Sequence, residues 1–256
     1  NVSVTLKSLG AELTSIKDAS GTEYLWQGNP EFWSGQAPVL FPIVGCLRNR
    51  TATIGDNKTC SFGRHGLARR LEFDLVSSSD TSVTYSLKAN DKTKEQYPYD
   101  FELQMTYELT EHGVKVSHTV INHDSVVMPY CVGGHPAFNC PVFENESFED
   151  YIVEFEQPEN AACAQLTEDG LINNADRVSV LENEAVIPVR HSLFYKDALV
   201  FDALKSRKVA LKHKKTGHGI LVSFPDFDYL GVWSSANDGP FVALEPWSGT
   251  STCSDE

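Results

Sequence analysis

The sequence predicts an all-β protein, a single large antiparallel β-sandwich, and three observations carry that prediction. Apolar and polar residues alternate with period two in segment after segment, which turns one face of each toward a core. Short strand-like runs recur at intervals of roughly 8–12 residues, the spacing of sandwiches and barrels. No stretch keeps the i, i+3, i+4, i+7 spacing of an amphipathic helix for more than about two turns.

The elements follow in order. The first run lies at 2–6, and further runs lie at 72–76 and 82–87. The clearest strand is Phe101-Glu102-Leu103-Gln104-Met105-Thr106-Tyr107-Glu108-Leu109, apolar at every odd position and polar at every even one. Thr110-Glu111-His112-Gly113 then supplies a turn, and 114–120 alternates again, so the two runs form an antiparallel hairpin. Later runs lie at 152–155, 209–212, 220–224, 230–233 and 241–244. Clusters of Gly, Asn, Asp and Pro such as Gly55-Asp56-Asn57 punctuate them. No repeat, low-complexity tract or linker divides the chain, so residues 1–256 read as one domain, long enough to bury a core without staples.

Charge narrows the partners. Lys and Arg number 21 against 35 Asp and Glu, a formal net charge of −14. The one basic run, 212–215, includes His213 and makes no stripe, so nucleic acid is not an expected partner. No apolar run approaches the roughly 18–20 residues that span a bilayer, which leaves no expected membrane role. The opening Asn1-Val2-Ser3-Val4-Thr5-Leu6 has neither a basic nor an apolar leader region, and a soluble, cytoplasmic protein is expected. The six cysteines form no C-x-x-C pair and mostly sit in apolar stretches, as buried thiols of a reducing compartment do. The N-x-S/T triplets at Asn1, Asn49, Asn57 and Asn145 read as chance matches. Oligomeric state has no signature in the sequence.

Three segments break the alternation, each placing an ionisable residue beside Gly or Pro at the end of an apolar run. They are Pro38-Val39-Leu40-Phe41-Pro42-Ile43-Val44-Gly45-Cys46-Leu47-Arg48-Asn49-Arg50 with His65-Gly66 soon after, Gly133-Gly134-His135-Pro136-Ala137-Phe138-Asn139, and Leu244-Glu245-Pro246-Trp247. Function tends to reside in such loops, held by a rigid scaffold. Among eight histidines, His135 stands out because two glycines let the backbone approach closely and Pro136 fixes the exit. Glu245 follows an apolar run and is hemmed in by Pro246 and Trp247; desolvation there raises a carboxyl pKa and makes a better base near neutrality. No tight ligand spacing exists, so no metal is expected. A histidine, a carboxylate, an arginine and a tryptophan at strand ends suit a sugar, whose apolar face packs on aromatics while charged groups grip its hydroxyls. No phosphate loop, G-x-S-x-G elbow or dinucleotide fingerprint competes with that reading.

Leu40-Phe41-Pro42-Ile43-Val44-Gly45, His65-Gly66-Leu67-Ala68-Arg69, Gly134-His135-Pro136-Ala137-Phe138-Asn139 and Leu244-Glu245-Pro246-Trp247 resemble the aldose 1-epimerase (galactose mutarotase) family. Ser8-Leu9-Gly10-Ala11-Glu12-Leu13 and Glu23-Tyr24-Leu25-Trp26-Gln27-Gly28 fit its galactose mutarotase-related branch. The resemblance covers nearly the whole chain and implies a large antiparallel sandwich with a cleft across one sheet. It also implies interconversion of the α and β anomers of a free hexose, without a cofactor. By resemblance Glu245 is the base, His135 the acid, and His65 helps to hold the sugar. The family's Asn-Arg pair fits Asn49-Arg50, with Arg48 as the alternative in a shifted register, and its sugar-binding aspartate fits Asp197. Trp247 is the expected aromatic contact, and a further strand is expected beyond Glu245. Reference pKa values let a protonated His and an ionised Glu coexist around pH 5–6.

Three other readings remain open at this point. A hexose-6-phosphate mutarotase would need cations near the sugar's 6-position, for which Arg69, Arg48 and Arg64 are available. A non-catalytic carbohydrate-binding or sugar-sensing protein could dispense with His135 or Glu245. A glycosidase would need a second positioned carboxylate.

Overall fold

A computed structural model of the chain describes residues 2–55 and 57–255. Asn1 of the first N-x-S/T triplet, Asp56 of the Gly55-Asp56-Asn57 turn, and Glu256 lie outside the described residues. The alternation at Phe101–Leu109 becomes a strand whose odd side chains are buried as far as Tyr107, with Phe101, Leu103 and Met105 fully buried. It pairs with Val114–Asn122 in the expected hairpin, Leu109 opposite Val114, and the Thr110 N–H donates to the Gly113 carbonyl across the turn. Asp74–Ser78 and Ser82–Lys88 complete this four-stranded antiparallel sheet.

A second four-stranded sheet runs in the order Ile172–Pro188, Tyr151–Leu166, Lys208–His213, Gly219–Ser223. Its first two members form a hairpin of 16- and 17-residue strands, far longer than the run at 152–155 predicts. Ile172–Pro188 lies at the edge of the sheet, and residues 174–179 within it are exposed, so no apolar alternation marks them.

The third sheet positions the site. Its strands are ordered Leu199–Phe201, Tyr229–Trp233, Phe241–Trp247, Gly133–Gly134 and Val39–Leu40, with Ala137–Asn139 also pairing with Phe241–Trp247. All seven residues of Phe241–Trp247 are buried, which explains its near-continuous apolar reading. Its even residues Val242 and Leu244, with Leu230, Val232, Leu199 and Phe201, enter the main core that all three sheets share. Each such side chain contributes about 1.5–3 kcal/mol by leaving water. The odd residues face the other way. Phe241 and Ala243 join Trp26 and Ala137 in one small apolar cluster. Trp247 joins Leu40, Val44, Val200 and Ile172 in another. Glu245 stands between the two.

Beyond Trp247 the expected further strand is reduced, among the described residues, to a single parallel bridge between Cys253 and Ile172. The C-terminal segment is nonetheless tied down: Ile172 N–H donates to the Thr252 carbonyl, Thr252 N–H to that of Cys46, and Cys46 N–H to Ser251 Oγ. No helix among the described residues is long and apolar enough to cross a membrane.

Candidate active site

The outer face of the third sheet carries a cavity of about 180 Å³. Strand register places its central groups. Glu245 pairs with Gly231, two residues along the strand from the pair Ala243 and Trp233 and two in the other direction from Trp247 and Tyr229, all on one face. On the opposite edge Gly133 pairs with Trp247 and Ala137 with Ala243. The intervening Gly134-His135-Pro136 bulges past Glu245, held by the His135 N–H on the Pro38 carbonyl at 3.1 Å. His135 Nε2 therefore lies 3.1 Å from Glu245 Oε2.

Both members of this pair are buried, with Glu245 1% and His135 7% exposed. Burial, reinforced by the Asp197 carboxylate, pushes the Glu245 carboxyl well above its ordinary value; the nearby Trp247 indole and Arg64 counteract it. Burial pulls His135 down to about 3, with Arg69 and Arg64 acting in the same direction against a backbone hydrogen bond. These shifts draw the two groups in opposite directions away from their reference values. The low dielectric opposes a second proton on the pair and also opposes removal of the last one, which favours a single shared proton.

His65 reaches the cavity from a left-handed turn (φ 66°). Its N–H donates to the Gly45 carbonyl at 2.7 Å, and its Nδ1 accepts from the Gly45 N–H at 3.0 Å. That acceptor role assigns the proton to Nε2. Burial, together with His135 and the two arginines, holds the ring well below its ordinary pKa. His65 is thus a neutral donor beside His135, with ring centroids 5.6 Å apart.

Asp197 also lines the cavity, in a left-handed conformation (φ 84°) fixed by Ala198 N–H on Oδ1 at 2.8 Å. Its Oδ2 accepts from both terminal nitrogens of Arg64 at 3.4 Å. Arg64 also donates from Nε to Cys46 Sγ, and Asp197 raises its pKa. Arg69 lines the cavity without such a match: its Nε is buried with no hydrogen-bond partner, and Arg70 and Arg64 add their repulsion to its desolvation.

Tryptophans supply the walls. Trp33 stacks on His135 at 4.9 Å and 27°, and Trp233 meets His135 edge-on at 5.4 Å. Trp247 lies over Gly133 and Gly231. A Cβ at Gly231 would come 2.6 Å from the indole, and one at Gly133 within 2.8 Å, so a side chain at either position would force the indole to shift. Glu245 Oε2 has His135 Nε2 as its near partner, and His135 Nδ1 and Trp247 Nε1 are buried with no partner in ordinary hydrogen-bond geometry. Buried polar atoms gathered around one cavity suit a polar ligand.

Of the residues expected from sequence, Glu245, His135, His65, Asp197 and Trp247 converge on the cavity. Asn49, Arg50 and Arg48 do not line it. Asn49 and Arg50 adopt φ of 52° and 61°, which carries both side chains out to the exposed start of strand Thr51–Ile54. The Arg48 guanidinium is engaged at 2.7 Å by the Cys253 carbonyl. Arg64 and Arg69 supply the cavity's cations instead. Trp33, Trp233 and the hairpin end formed by Leu166, Gly170 and Ile172 were not foreseen. Adjacency of Arg64 to His65 was the one local signal available. Among the described residues no three His, Cys, Asp or Glu side chains converge as a metal site requires.

The family model for aldose 1-epimerase matches residues 1–255. The chain belongs to the aldose 1-epimerase family. It is 45% identical over 261 residues to the plasmid-encoded protein LacX of Lactococcus lactis subsp. lactis, covering all of this chain and 87% of that one. A galactose mutarotase related enzyme from Lactobacillus acidophilus superposes with TM-score 0.93 at 32% identity, over 100% of this chain and 85% of the other. A galactose mutarotase-like protein from Lactobacillus casei superposes with TM-score 0.89 at 31% identity, over 98% and 86%. Membership in the aldose 1-epimerase family makes this protein an isomerase-type enzyme with a sugar substrate, on a galactose mutarotase-like fold.

Proposed function

We propose that this protein interconverts the α and β anomers of a free hexose, with Glu245 and His135 as its acid–base pair. The observation that carries the reading is the buried pair itself, Nε2 to Oε2 at 3.1 Å, in a small cavity walled by indoles. Opening a pyranose removes the proton from the anomeric hydroxyl and places one on the ring oxygen as the bond from C1 to that oxygen breaks. Ionised Glu245 takes the first proton and protonated His135 gives the second. Rotation about C1–C2 and the reverse transfers close the ring on the other face. The resting form, with carboxylic acid and neutral imidazole, has the same proton count, so the pair needs only to redistribute its one proton when hydroxyls reach the carboxylate. Each partner supplies about 10²–10⁴-fold.

The matched pair Arg64 and Asp197 offers donors and an acceptor together, which suits neutral hydroxyls better than an anion. Arg69 favours a second reading, a hexose phosphate, because it lines the cavity with its Nε buried and without a hydrogen-bond partner. Polarimetry on freshly dissolved α-glucose, α-galactose and glucose 6-phosphate tests both. Accelerated decay of rotation with a neutral hexose is the expected result; acceleration with the phosphate alone selects the second reading, and none with any sugar defeats both.

A further inference from the structure

Between the bridge at Leu25 and strand Val39–Leu40 the chain forms neither strand nor helix. The two ends of this stretch are pinned to one residue: the Trp26 N–H donates to the Ala137 carbonyl and the Ala137 N–H to that of Gln36, both at 2.9 Å. The Gln36 side-chain amide closes the neck on the Trp26 carbonyl, and Glu12 Oε1 accepts from the Gln36 and Ala37 N–H groups. Residues 28–35 therefore form a compact loop with fixed ends, as Ω-loops do. None of them is buried, so opening this loop disturbs little of the core.

The loop covers the acid–base pair. Its Trp33 indole stacks on the His135 ring. The other two rings against His135 are held in place, Trp233 by the end of strand Tyr229–Trp233 and His65 by two hydrogen bonds to Gly45. With Glu245 1% and His135 7% exposed, the two reacting groups face each other rather than an entrance. A sugar needs its ring oxygen at His135 Nε2 and its anomeric hydroxyl at Glu245, so a wall has to move. Trp33 is the wall that no strand or tight turn holds. Its restraints are few. Trp26 Nε1 donates to the Trp33 carbonyl at 2.8 Å, and across the cavity rim Asn237 Nδ2 donates to the Glu31 carbonyl at 2.8 Å. Asn237 belongs to the exposed turn between strands Tyr229–Trp233 and Phe241–Trp247. Gly28, at φ 71°, and Gly35 stand at the neck, and a Cβ at Gly35 would collide with the Trp33 ring folded back over it.

We propose that residues 28–35 are a lid, opened to admit the sugar and closed for the chemistry, with Asn237 as its latch. The proposal rests on the mutarotase reading of the cavity. Opening carries Trp33 off His135 and breaks the hydrogen bonds from Trp26 and Asn237; closing returns the indole and excludes water from the pair. Asn237 does not line the cavity, so it acts through Trp33 as a positioning residue.

Modification by diethyl pyrocarbonate, followed by mass spectrometry, tests the lid without turnover, because His135 reacts only while Trp33 is away. Asn237→Ala, and Asn237→Asp, which keeps the shape and loses the donor, should each speed modification of His135 about five-fold, the weight of one neutral hydrogen bond. The rate at His118, in the Val114–Asn122 strand of another sheet, should not change. No reaction at His135 in any of the proteins, an unchanged rate in the variants, or an equal rise at both histidines overturns the proposal. In the double variant Glu31→Cys/Asn237→Cys an oxidised bridge, verified by mass, fastens the lid. Its polarimetric kcat/KM should fall at least about ten-fold and recover on reduction, and full activity with the bridge in place overturns the proposal. If the wild type turns over no sugar, the mutarotase reading falls, and the His135 rates judge the lid alone.

Discussion

Replacing Glu245 by Gln keeps the shape of the side chain and removes both the base and the titration. Mutarotation should fall by at least about 10²-fold, the low end of a general base's contribution. The same change should stabilise the fold increasingly as pH rises. In the folded protein the Glu245 carboxyl is 1% exposed and holds its proton well above 4.5. The unfolded chain releases that proton near 4.5, so above this pH the unfolded state binds fewer protons than the folded one, and wild-type stability declines toward the raised value. The slope is at most about 1.4 kcal/mol per pH unit. Gln has no such slope, and groups other than its partner His135 titrate alike in both proteins. Urea unfolding of wild type and variant at pH 5, 6 and 7 isolates the difference. A stability difference that stays constant with pH would show that Glu245 ionises normally in the fold, and near-normal kcat in the variant would remove it as the base.

Three further outcomes are expected. Wild-type kcat/KM should stay level from pH 5 to 8, because His135 is drawn down to about 3 and Glu245 is pushed up; a maximum confined to pH 5–6 would contradict the shared proton. Gly231→Ala puts a methyl group 2.6 Å from the Trp247 ring, so it should cost about 1–3 kcal/mol of stability in a melt and raise KM, and an unchanged KM would exclude Trp247 from sugar binding. Arg69→Ala should change KM for a neutral hexose only a few-fold with little salt dependence, whereas a loss of about ten- to a hundred-fold restricted to glucose 6-phosphate would establish the phosphate reading.

Much of this architecture is legible wherever one face of a strand is covered and the other is not, as at Phe101–Leu109. Glu245 and His135 were legible for a related reason: each interrupts an apolar or glycine-rich stretch with a charge that a buried strand would otherwise exclude. Trp33 and Trp233 were not, since a tryptophan lining a cavity and one filling a core look alike in a linear chain. Asn49 and Arg50 misled because the motif says nothing of the left-handed backbone that turns them outward. Ile172–Pro188 escaped notice because its middle lies at a sheet edge where neither face is covered. Yet this same strand supplies Ile172 to the cavity.

Trp33, Trp233 and Trp247 line the cavity, and they are three of the chain's four tryptophans. The fourth, Trp26, lies close by against Phe241, with ring centroids 4.9 Å apart. The tryptophan emission of the whole protein is therefore an optical signal from one small region. A sugar seated against these indoles changes their polarity and their distance from the Glu245 carboxyl, so its arrival alters emission whether or not a ring ever opens. Ligand affinity thus becomes measurable by fluorescence in inactivated variants, with no label attached and no reaction to follow.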